Sequence, residues 1–146
     1  FSPSEGDKDI DQIDKDLEGA LEYLEGQGVA QFVIIGASMG GTVALKVAAH
    51  RNILGVVALS PPSEIQGLST AEDIALVTAA KLFFASEDDR SAQQSAGELY
   101  AASKAPRLFE SFIGGEHGTD LLYGDHAQGV QDRIFEFLAF TQSPSQ

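Results

Sequence analysis

The 146-residue chain has no cysteine, which removes disulfides, thiol nucleophiles and thiolate metal sites from consideration. It has no apolar run approaching the roughly 20 residues that a membrane-spanning helix needs. Positive charge is scarce: nine Lys and Arg stand against 22 Asp and Glu, a formal net charge of −13. Such a chain is repelled by nucleic acid and by anionic membrane surfaces, so neither is expected as a partner. The acidity also disfavours a strongly anionic substrate. Nine of the acids lie between Glu5 and Glu25, so much of the charge reads as one solvated helix face rather than a site. No internal repeat, linker, low-complexity segment or signal peptide is legible in these residues. Beginning at Phe1 instead of a methionine, the chain reads as processed or as continuing from an upstream segment, with a cytoplasmic setting favoured.

What is present is a globular composition, 43% hydrophobic and 21% charged, enough for one domain over residues 1–146. The most informative stretch is Phe32-Val33-Ile34-Ile35-Gly36-Ala37-Ser38-Met39-Gly40-Gly41. A β-branched apolar run that breaks at glycine, presents a serine and leaves through two glycines reads as a strand, a very tight turn and a helix start. Gly36 to Gly40 is a G-x-S-x-G elbow, in which a strained serine stands clear of the sheet between nearly side-chain-free neighbours. The Met39 N–H and the positive end of the following helix then face any oxyanion formed there. The plainer alternative is a strand-to-helix turn capped by Ser38.

The rest of the chain alternates helix and strand. Asp9 and Gln12 form a capping-box pattern before an amphipathic helix carrying Ile10, Ile13, Leu17, Leu21 and Leu24, which stops at Gly26-Gln27-Gly28. After the strand at residues 32–35 comes a helix over 42–51, with His50 suited to its carboxyl-terminal dipole. A buried strand over 53–59 closes on Ser60-Pro61-Pro62. Ser69 or Thr70 caps a short helix over 71–79, and a third strand spans 81–85. Ser91 and Gln94 open a helix with Ala92, Ala96, Leu99 and Tyr100 on one side, and a fourth strand follows over 108–113. Asp125 and Gln128 open a last helix burying Val130, Ile134, Phe137 and Leu138, and residues 141–146 read as a disordered tail. This order predicts an α/β fold: an open parallel sheet of about four strands with helices on both faces.

In such a sheet ligands bind beyond the carboxyl ends of the strands. Ser38, then Asp88 or Asp89, then His117 all fall at strand ends, in the order Ser, Asp, His. A serine hydroxyl needs an adjacent base, and the base needs a carboxylate to fix its tautomer. Taken singly, each Asp could be a turn or cap residue and His117 an ordinary loop residue. A rival arrangement would use His117, Asp125 and His126 as metal ligands.

The combination resembles the α/β-hydrolase superfamily, in its dienelactone-hydrolase-like and small-carboxylesterase branch. It is carried by Gly36-Ala37-Ser38-Met39-Gly40-Gly41, Phe84-Ala85-Ser86-Glu87-Asp88-Asp89 and Gly115-Glu116-His117-Gly118. The resemblance covers the carboxyl-terminal part of that fold and nearly the whole chain. It implies a serine hydrolase of small soluble esters working through an acyl-enzyme and needing no cofactor. Counted from Ser86, its pattern places the acid at Asp89, with Asp88 the alternative. It also implies several strands before the elbow, including the loop that supplies a second oxyanion donor, and none is legible here. The edge of strand 32–35 is therefore expected to be covered by an amino-terminal segment or a second copy of the chain. A non-catalytic or weakly active fragment is the competing expectation. No long insertion follows Ser60, so a helical lid is not expected.

Overall fold

The structure, a computed structural model, describes residues 12–143. Four strands form one parallel sheet, lying side by side in the order β1 (Val33–Ala37), β2 (Gly55–Leu59), β5 (Ala80–Ser86) and β6 (Arg107–Phe112), with two short strands between β2 and β5 in the chain set apart from it. The register pairs Val33 with Gly55, Gly55 with Ala80 and Lys81 with Arg107. Parallel neighbours need crossovers, which α2 (Met39–Ala48) supplies between β1 and β2 and α3 (Arg90–Ala102) between β5 and β6. α1 (Ile13–Gly26) precedes the sheet and α4 (Ala127–Gln142) follows it.

Period-2 geometry divides the apolar strand residues between two faces. Val56, Ala58, Phe83 and Ala85 pack against Ala44, Leu45 and Ala48 of α2 and Ala92, Ala96 and Leu99 of α3. Val57, Leu59, Leu82 and Phe84 pack on the opposite face against Val130, Ile134 and Phe137 of α4. Helices thus cover both faces. α1 lies outside α2, where Leu21 meets Val43, Val47 and Leu68. Among the described residues no helix is long and apolar enough to cross a membrane.

Several local expectations are corrected. Residues 71–79 form only a 3-10 turn, Ile74–Leu76, instead of a helix, and before them the chain makes a small antiparallel hairpin, β3 (Glu64–Ile65) with β4 (Leu68–Ser69). Gln66 (φ 48°) and Gly67 (φ 85°) make its two-residue loop, the positive-φ geometry that matches strand twist. Thr70 ties the segment back by donating to the Ser63 carbonyl, and Lys46 and His50 both hold Asp73, so the segment is anchored by side chains on α2 and on its own hairpin. His50 is thus bonded to a carboxylate of this segment rather than placed to serve only the helix end.

The capping boxes expected for α3 and α4 do not form. α3 starts at Arg90 with Asp89 in the cap position and α4 starts at Ala127 with His126 there, both without a side-chain cap bond. Gln94 and Gln128 instead donate forward to Glu98 and Asp132, one helical turn on. At α1 the cap position is Gln12, whose side chain accepts from Lys15 rather than capping, and Asp9 and Ile10 lie outside the described residues. α2 starts at Met39 rather than at 42. α4 extends to Gln142, so Thr141 and Gln142 are helical. Leu138 is only partly buried.

Candidate active site

Every element of the site sits at the carboxyl end of a strand, and the backbone ladder continues past each end. Ser38 N donates to the Leu59 carbonyl, Ser60 N to Phe84 and Glu87 N to Phe112, each at 2.8 Å. The three turns are therefore fixed relative to one another by main-chain bonds before any side chain is considered.

Ser38 has φ 49° and ψ −121°, a conformation that costs a non-glycine residue about 1–3 kcal/mol. Its neighbours explain how the turn closes. A Cβ on Gly36 would lie 2.2 Å from the Gly40 carbonyl oxygen, and one on Gly41 would lie 3.2 Å from the Gly36 oxygen and from Pro61 Cβ. Gly40 differs: it is exposed, and a Cβ there would meet nothing within 4 Å. Ser38 occupies the cap position of α2, yet its side chain makes no cap bond. The hydroxyl is left for another partner. Met39 is the first residue of α2, so its N–H has no partner within the helix.

That other partner is His117. Its Nε2 lies 3.0 Å from Ser38 Oγ, and its Nδ1 lies 2.5 Å from Asp89 Oδ2. Asp89 is at the cap position of α3, but the carboxylate turns to the imidazole instead of to the helix N–H groups. The Asp89 side chain is 17% exposed and that of His117 50%, so the acid is largely sheltered and the ring is open. Asp88 is exposed, and its backbone N–H donates to the Gly114 carbonyl at 2.9 Å. Of the two candidate acids, Asp89 carries the carboxylate beside His117.

The rival ligand set is not assembled. The His126 ring stacks on Phe112 with centroids 5.5 Å apart, and among the described residues no group of three or more His, Asp or Glu side chains could hold a metal ion.

From the sequence Ser60 has no role beyond closing a strand and Ser86 only a spacing role. Both are fully buried. Ser60 Oγ accepts from the Gly118 N–H at 2.9 Å, and Ser86 Oγ donates to the Glu116 carbonyl at 2.8 Å. The only advance signal was their position as the last small residue of a strand.

An open parallel sheet with helices on both faces, a strand-turn-helix elbow, and later strand ends converging on it define the α/β-hydrolase fold. A family model described as the dienelactone hydrolase family matches residues 4–120, and the chain belongs to that family. Solved structures share the fold at low identity. The esterase domain of a Rhodothermus marinus protein is 21% identical with a TM-score of 0.72, over 85% of this chain and 66% of that one. A dienelactone hydrolase from Anabaena variabilis is 19% identical with a TM-score of 0.75, over 90% of this chain and 61% of that one. A monoacylglycerol lipase from Paleococcus ferrophilus is 15% identical with a TM-score of 0.76, over 95% and 78% of the two chains. The chain thus spans less than two thirds of the length of the first two structures. No curated protein matches it in sequence.

Proposed function

We propose that the chain is a serine hydrolase of small carboxylic esters acting through an acyl-enzyme. The observation that carries this reading is the His117 ring, which reaches both Ser38 Oγ at 3.0 Å and Asp89 Oδ2 at 2.5 Å. Ser38 Oγ attacks the ester carbonyl while His117 Nε2 takes its proton, and Asp89 accepts from Nδ1–H and stabilises the imidazolium. The Met39 N–H receives the oxyanion. The tetrahedral intermediate collapses with the alcohol leaving on the proton from His117. Water, deprotonated by the same ring, then releases the acid and restores Ser38.

The small hairpin and 3-10 turn after β2 form no lid, and half of the His117 side chain is open, features that favour small soluble substrates. A fluorophosphonate probe tests the proposal, because it labels an activated serine and leaves a capping serine alone. Labelling at Ser38 that disappears in Ser38→Ala and His117→Gln is expected; an unlabelled wild type overturns the reading.

One observation favours a weaker catalyst. Among the described residues β1 pairs only with β2, and Ile35 on this edge strand is 48% exposed. Bare parallel edges invite pairing. We propose that a strand from an amino-terminal segment or a second copy covers this edge and brings the second oxyanion donor, whose loss costs about 10²–10³ in rate. Ordinary esterase rates from a monomer of these 146 residues overturn it.

A further inference from the structure

We infer that Ser60 and Ser86 are positioning residues that clamp the peptide groups on either side of His117 and so set the distance from its ring to Ser38. The inference rests on the esterase reading for its kinetic consequence, but its geometry stands apart. The His117 side chain is half exposed and held at its two nitrogens by Asp89 and Ser38, so the backbone beneath the ring sets how those contacts are met. On one side the Glu116 carbonyl accepts from Ser86 Oγ at 2.8 Å, and on the other the Gly118 N–H donates to Ser60 Oγ at 2.9 Å. The two serines close β2 and β5, the two inner strands of the sheet. Both are wholly buried, so water cannot replace either bond at no cost.

Two further features show that the clamp is built and not incidental. Ser60 has φ 51°, one of three non-glycine residues with positive φ among those described, and another is Ser38 itself. A strained serine at the end of an inner strand is hard to explain by packing, because glycine would sit there without strain. What glycine lacks is the hydroxyl that holds Gly118. Gly118 also has positive φ, 59°, and a Cβ there would approach Ala37 Cβ at 3.6 Å and Ser38 Cβ and N at 3.8 Å. The peptide after His117 therefore lies directly on the elbow, and a shift of this loop is felt at Ser38.

The test uses Ser60→Gly and Ser86→Ala in the whole chain. Glycine relieves the strain at residue 60, so Ser60→Gly retains the fold while losing the hydroxyl. A misplacement of about 1 Å costs up to about 10²-fold in rate, and releasing one of two bonds is expected to lower kcat about tenfold with KM within about twofold. The double variant should lose about 100-fold. By amide exchange, Gly118 should lose protection in Ser60→Gly, and the downfield Nδ1 proton of His117 should broaden in both variants. Wild-type kcat in both folded variants, or unchanged Gly118 protection and a sharp Nδ1 proton, overturns the inference. The magnetic-resonance arms need no turnover, so a wild type that is never labelled at Ser38 sinks the esterase reading while these arms still decide the clamp.

Discussion

The two ends of the sheet use polar groups in opposite ways. At the amino ends, Lys81 is buried at the start of β5 and donates to the Val77 and Ala79 carbonyls at 2.9 and 2.5 Å. Arg107, its register partner on β6, donates to the carbonyls of Tyr100, Ala101 and Ser103 at the end of α3 and lies 4.6 Å over the Tyr100 ring. These cations satisfy helix-end and loop carbonyls that would otherwise lack partners. At the carboxyl ends Ser38, His117 and Asp89 bond to one another while Ser60 and Ser86 hold the peptides beside the histidine, two serines carry positive φ, and His117 is left half open. Strain and open hydrogen-bonding groups lower stability, and they persist where the surrounding structure over-determines them. One sheet thus keeps its carbonyl-capping cations apart from its strained, open polar cluster, the two lying at opposite strand ends.

The largest expected effect breaks the carboxyl end. Asp89→Asn should lower kcat by about 10⁴ through loss of the correct imidazole tautomer, while Asp88→Asn, altering an exposed side chain, should stay within about twofold. Steady-state rates on a short-chain aryl ester decide it, and the reverse pattern would assign the acid to Asp88. Next comes the backbone of the elbow. Gly36→Ala puts a methyl 2.2 Å from a main-chain oxygen that cannot move aside, so a loss above roughly 4 kcal/mol or failure to fold is expected. Gly40→Ala meets nothing within 4 Å and should leave the denaturation midpoint unchanged or slightly raised. Equal damage from both would refute the packing account of the turn.

Much of this was legible in the sequence because it rests on strong local signals. Continuous apolar runs mark strands buried on both faces, and glycines mark the one turn that excludes a Cβ at Gly36. The strands therefore lie within two or three residues of expectation. The capping boxes of α3 and α4 failed because spacing alone cannot say whether a glutamine bonds back to its cap or forward one turn, and Gln94 and Gln128 bond forward. The hairpin at Glu64 to Ser69 was missed because two-residue strands carry no periodicity. Ser60 was read only weakly since its partner, Gly118, is 58 residues away. Asp89 was ambiguous for the same reason: a carboxylate at a helix cap looks alike in sequence whether it serves the helix or a distant histidine.

The smallest expected effect sharpens the amino-end half of the comparison. Burial, reinforced by the positive charges of Arg107 and Lys104, pushes the Lys81 ammonium down to about 8 from 10.5. In the folded chain Lys81 thus gives up its proton near pH 8, while in the unfolded chain it keeps it to about 10.5. Below pH 8 both states are charged and the folded state bears a constant penalty. Between those limits the unfolded state binds more protons, so the contribution of Lys81 to stability rises with pH, by at most roughly 1.4 kcal/mol per pH unit. Lys81→Met has no such group. Urea unfolding of both chains at pH 7, 8, 9 and 10 should show a difference in stability that is flat to about pH 8. It should then move in favour of the wild type by on the order of 2 kcal/mol at pH 10. The absolute offset also contains the two carbonyls orphaned in the variant, so only the slope is diagnostic. A difference that stays level across the whole range would mean that Lys81 retains its proton when folded, its bonds to Val77 and Ala79 outweighing its burial.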